Sequence, residues 1–121
     1  KMFTEGEINT CASRTALIGA MTRAKMCTEE KQPAVFQIED DVLNISIRDK
    51  LADYQEQVPL QETVCKSIRL GFDSRLVLET LKAFTCDNIA LGFTSPRTPM
   101  IVEAEDSDMK AMVLPVAIRE A

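Results

Sequence analysis

The alternation of hydrophobic and polar positions changes period several times along the chain, and each change marks an element. Met2 to Asn9 reads as a short extended segment, after which Ser13 is placed to cap a helix. Leu17, Ile18, Met21 and Ala24 then recur at helical spacing, turning Ala12, Thr15, Ala16, Gly19 and Arg23 away from the core. The polar run Thr28 to Gln32 followed by Pro33 stops this helix near Cys27. From Ala34 the period falls to two: Phe36 and Ile38 oppose Gln37 and Glu39, and after the turn Asp40-Asp41, Leu43, Ile45 and Ile47 alternate with Asn44, Ser46 and Arg48. Two hairpin strands follow from that. A more polar extended run, Ala52 to Leu60, suits a strand at a sheet edge.

Thr63 to Phe72 begins the same plan again. Asp73 or Ser74 supplies a capping oxygen, and Val77, Leu78, Leu81 and Phe84 line the core face of a second helix. Arg75, Glu79 and Lys82 fall on one outward flank of that helix and Leu76 on the other. Strands are expected at Asn88 to Thr94, Met100 to Glu105 and Lys110 to Ile118, with a rigid turn Ser95-Pro96-Arg97-Thr98-Pro99 between the first two. The chain therefore reads as a duplicated βαβββ unit, with repeats 1–61 and 62–121 in one domain spanning residues 1–121. An α+β architecture, two helices packed on one side of about eight mostly antiparallel strands, satisfies both helix stripes and the one-sided strands together.

Composition narrows the chemistry. The 121 residues include no histidine, so neither Ser/His/Asp nor Cys/His catalysis nor a histidine-ligated metal site can be assembled from this chain. Cys11, Cys27, Cys65 and Cys86 are widely spaced with no CxxC pair, which suits reduced thiols in a cytosolic compartment. The four glycines are too scattered for a phosphate-binding loop. No apolar stretch approaches the roughly 20 residues that span a bilayer, so a soluble protein is expected, without membrane contact. The chain opens on Lys1 rather than Met, which points to an excised piece. Carboxylates cluster at Asp40-Asp41 and at Glu103, Glu105, Asp106 and Asp108, but both clusters fall at expected hairpin turns, where Asp serves the backbone. No catalytic residue, metal or cofactor is assigned. A net charge of −5 argues against binding nucleic acid by bulk attraction while leaving room for a local basic face.

The βαβββ repeat, the segment Gly71 to Phe84, the turn Ser95 to Met100 and the ending Met112-Val113-Leu114-Pro115-Val116 closely resemble the C-terminal, third domain of the bacterial DNA polymerase III beta subunit, the sliding clamp. The resemblance implies a DNA-clamp fold, and a non-catalytic processivity role in bacterial replication. In that family three such domains form a protomer, and two protomers close head to tail around duplex DNA in the cytoplasm. It further implies that Arg23, Arg75 and Lys82 face DNA. A hydrophobic pocket for short linear motifs of the polymerase catalytic subunit, the clamp loader and repair proteins would use Asp73, Leu76, Arg97, Pro99, Val113, Leu114, Pro115, Val116 and Ile118. The protomer contact would use Met26 and Cys27 with the strand Asp53 to Leu60. Asp73 and Leu76 stand where the family commonly has asparagine and tyrosine, and Ala117 where a basic residue is frequent. The alternative is a stand-alone peptide-binding or scaffolding module that keeps the fold without encircling DNA.

Overall fold

The structure, a computed structural model, describes residues 8–26, 33–48, 53–64 and 66–116. Its elements follow the order β1 (Ile8–Ser13), α1 (Arg14–Met26), β2 (Ala34–Glu39), β3 (Val42–Arg48), β4 (Asp53–Pro59), β5 (Ile68–Phe72), α2 (Ser74–Ala83), β6 (Asn88–Phe93), β7 (Met100–Ala104) and β8 (Lys110–Val113). The expected segment Met2 to Asn9 overlaps β1 only at Ile8 and Asn9, and its earlier residues lie outside those described. Ala12 is corrected: it belongs to β1 and is wholly buried, because the helix starts two residues later than an outward-facing Ala12 would need.

Both helices begin where a side-chain oxygen can take up a free amide. Ser13 Oγ accepts from the Ala16 N–H at 3.2 Å, and the Asp73 carboxylate accepts from the Arg75 N–H at 2.9 Å. Of the two candidate caps for α2 it is Asp73 that acts. The buried face of α1 is Leu17, Ala20, Met21 and Ala24, with Ile18 half-buried at its margin. That of α2 is Val77, Leu78 and Leu81, continued by buried Phe84.

The strands form two four-stranded sheets, ordered β1-β6-β7-β8 and β4-β3-β2-β5, and every pairing is antiparallel. The element order βαβββ occurs twice among the described residues, yet neither sheet is built from one such run. β1 leaves β2, β3 and β4 to pair with β6, and β5 leaves β6, β7 and β8 to pair with β2. Single bridges, Ala12 to Leu60 and Gly71 to Val116, then bring each outer edge of one sheet against an edge of the other. Alternation puts Phe36, Ile38, Leu43, Ile45, Leu70, Phe72, Ile89, Leu91, Phe93 and Val102 into one core beneath the helices. Phe36 and Phe72 meet edge to face across the exchanged strands, their centroids 5.1 Å apart.

Of the acidic clusters, Asp40-Asp41 and Glu105, Asp106 and Asp108 sit at turns, whereas Glu103 lies within β7, registered on Lys110. Asp40, at a φ of 56°, and Asp41 close the β2–β3 hairpin, and their carbonyls accept from Val64 and Leu60 N–H at 2.8 Å each. Among the described residues no group of three or more His, Cys, Asp or Glu stands close enough to hold a metal ion, and no helix is long and apolar enough to cross a membrane.

Candidate functional site

A patch of exposed apolar side chains forms where β8 ends. Alternation along β8 buries Val113 and half-buries Ala111 while Lys110, Met112 and Leu114 point outward. Leu114 is 67% exposed and Met112 64%, high values for side chains of that size. The strand was expected to run to Ile118, but its ladder stops at Val113, and Pro115, two residues on, has no N–H to continue one. The Val116 N–H instead donates to the Gly71 carbonyl at 2.8 Å, carrying Leu114-Pro115-Val116 from the edge of one sheet to the edge of the other. Gly71 lies two residues before the cap of α2. The bridge therefore sets Val116, 40% exposed, near the end of α2 that presents Leu76, 47% exposed.

The turn after β6 reaches the same region. Ser95 N–H donates to Thr98 Oγ1 at 3.0 Å, Thr98 N–H to the Ser95 carbonyl at 3.2 Å, and Arg97 N–H to Ser95 Oγ at 3.2 Å, so the turn is tied at both ends. Met100 is registered on Val113, which places Pro99 and Leu114 at the same end of the β7–β8 ladder. Of the expected pocket residues, then, Pro99, Leu114, Pro115 and Val116 lie together at this sheet end, with Leu76 exposed on α2 and Arg97 exposed on the adjoining turn. Val113 lies beneath them: at 3% exposure it faces the core and has no open surface to offer a ligand. The Asp73 carboxylate is engaged as the helix cap. Ile118 lies outside the described residues. Met112 belongs on the outward face beside Leu114, and the period of two that separates it from Leu114 was the signal that could have placed it there.

The cations expected to face DNA divide into two kinds. Arg75 and Lys82 are exposed on α2, and neither makes a side-chain hydrogen bond or ion pair among the described residues. Lys25, exposed in the last turn of α1, is in the same condition and was missed. Arg23 is engaged. Its Nε donates to Glu56 Oε2 at 2.6 Å and its second nitrogen to Oε1 at 3.0 Å, and the Tyr54 hydroxyl also donates to Oε2. These hydrogen bonds, Arg23's first and Tyr54's second, hold the Glu56 carboxyl at about 2, well below its ordinary 4.5, and push the Arg23 guanidinium above its usual range.

At the other side of the fold, β4 is an outer strand of its sheet and Met26, at 78% exposure, closes α1 near it. Asp53, Gln55 and Gln57 are exposed along β4, while Tyr54 and Glu56 alternate toward α1. Cys27 lies outside the described residues.

No curated protein sequence matches this chain. Solved structures do. It is similar to the DNA polymerase III subunit beta of Pseudomonas aeruginosa, at 18% identity and a TM-score of 0.87, over 97% of this chain and 32% of that one. The beta chain from Streptococcus pneumoniae TIGR4 gives 17% and 0.87, over 96% and 32%, and the C. crescentus beta sliding clamp 15% and 0.88, over 97% and 32%. The chain thus spans about a third of the length of these proteins, and it shares their fold. The family model described as DNA polymerase III beta subunit, C-terminal domain, matches residues 4–117, nearly the whole sequence, and the chain belongs to that family.

Proposed function

We propose that this chain is the partner-docking, DNA-facing domain of a replicative sliding clamp, one that holds a polymerase on its template by topology and breaks or forms no bond itself. The observation that carries the reading is the Val116–Gly71 bridge. It draws Leu114 and Val116 off the end of β8 and toward Leu76, leaving three apolar side chains exposed where an isolated domain gains nothing by exposing them. A short segment bearing a leucine and an aromatic residue would bury that surface, and Pro115 keeps the backbone from being consumed by another strand. A related clamp, that of Pseudomonas aeruginosa, has been solved bound to griselimycin.

Arg75 and Lys82 supply the cations for the phosphate backbone, a mode of contact that is independent of sequence and weak enough per residue to permit sliding. Met26 and the outer strand β4 supply the contact between protomers of a homodimeric ring in the bacterial cytoplasm. The docking half of the proposal is tested by titrating the chain with a peptide carrying glutamine, leucine and an aromatic residue while following backbone amide shifts. Shifts are expected at the amides of Leu76, Arg97, Met112, Val113, Leu114 and Val116, and Leu114→Ser should abolish them. A saturating titration that moves no amide in this region would show that the patch is not a docking site in this chain.

A further inference from the structure

Arg23 and Glu56 meet in an arrangement that a guanidinium otherwise makes with phosphate. Two of its nitrogens, at 2.6 and 3.0 Å, grip the two oxygens of one carboxylate, as they would grip two oxygens of a backbone phosphate. The pair is buttressed on both sides. Tyr54 donates to the same carboxylate from the strand, and on the helix Gly19, one turn before Arg23, leaves the space in which the guanidinium lies. A Cβ at Gly19 would stand 3.2 Å from an Arg23 terminal nitrogen. These neighbours direct Arg23 sideways to β4.

We propose that Glu56 is an internal stand-in for phosphate that masks Arg23, so that the chain meets duplex DNA through Arg75 and Lys82 while the α1 arginine contributes no contact. The proposal rests on the DNA-facing reading above. An intramolecular acceptor already in place is present at high effective concentration, and exchanging it for a DNA phosphate gains one charged hydrogen-bonded pair only by giving up another. Arg75 and Lys82 have no such partner to surrender among the described residues. Masking one cation lowers the number of phosphates held at once, which favours a surface that slides.

The test is a salt series of duplex binding, read by fluorescence anisotropy with a short linear duplex of mixed sequence, on the full chain. Each neutralised phosphate steepens the dependence of log K on log salt by about 0.9. Glu56→Gln, which releases Arg23, is expected to steepen the slope by about that amount. The double variant Arg23→Gln with Glu56→Gln should return it to the original value. Lys82→Gln should flatten it by a similar step, and Asp106→Asn, which removes an exposed carboxylate at the β7–β8 turn, should leave the slope unchanged. If Arg23→Gln alone flattens the slope as Lys82→Gln does, or if Glu56→Gln leaves it unmoved while Lys82→Gln flattens it, masking is wrong and the DNA-facing reading survives. Absence of duplex binding in every variant, or slopes indifferent to Arg75→Gln and Lys82→Gln, would remove the DNA-facing reading and the proposal together.

Discussion

Glu56 carries its charge down to a pH near 2, against an ordinary 4.5, because the Arg23 guanidinium and then the Tyr54 hydroxyl donate to its ionised form. As pH falls, the unfolded chain takes up this proton before the folded one does. The stability that the pair contributes is therefore complete above about 4.5 and lost progressively as pH falls through about 2. Thermal midpoints of the native chain and of Glu56→Gln should differ at neutral pH, with the native chain higher, and converge over that interval. Since the Arg23 side chain is 59% exposed, salt should narrow the gap. Parallel midpoint curves would mean that the pair adds nothing to stability. At this scale the sequence was readable where partners are neighbours, as in Asp73 capping the amide two residues on. Arg23 is outward as expected, but its pairing was not readable, because Glu56 lies 33 residues away and no helical or strand period relates the two.

The two helices are joined end to start by one residue whose part in the fold no periodicity could announce. Arg14, the first residue of α1, donates from Nε to the Cys86 carbonyl at 2.8 Å and from a terminal nitrogen to the Leu81 carbonyl at 3.1 Å, and its backbone N–H reaches Asp87 at 2.9 Å. A cation thus closes the carbonyl end of α2, where the helix dipole favours it. Arg14→Ala should cost about 2 kcal/mol in urea unfolding, the loss of hydrogen bonds from a charged, half-buried donor. Arg14→Lys should recover only part of that, since an ammonium cannot fork to two carbonyls. Full stability in Arg14→Ala would show that water closes the helix end equally well. The elements themselves were legible from their periods. The error at β8, expected to reach Ile118, came from apolar residues that continue the pattern past Val113 although Pro115 breaks the ladder and Val116 takes a partner in the other sheet.

Across the whole molecule the two βαβββ runs are interlocked by their first strands. β1 completes the sheet of β6, β7 and β8, and β5 completes that of β2, β3 and β4, so each half carries the edge the other needs. Phe72, wholly buried against Phe36, anchors one of these exchanges in the common core. Severed between residues 61 and 67, neither half should show cooperative unfolding by circular dichroism, whereas an equimolar mixture should recover it. A half that unfolds cooperatively alone would mean that the exchange adds stability without being required for folding. The same interlocking sets the apolar patch, because the Gly71–Val116 bridge that shapes it exists only once β5 has crossed to the other sheet.

From sequence alone came the helix stripes, the two caps, the hairpin turns, the βαβββ order and the likeness to the clamp domain, all of them recorded in residues a few positions apart or in a run of motifs. Tertiary structure decided which sheet β1 and β5 would join, that Val113 would turn inward and Val116 would bridge to Gly71, and that Arg23 would be held by Glu56. The reason is physical. Local geometry is dictated by neighbours along the chain, while closing a long loop costs nearly the same whichever distant strand is its partner, so that choice falls to the packing of the assembled core.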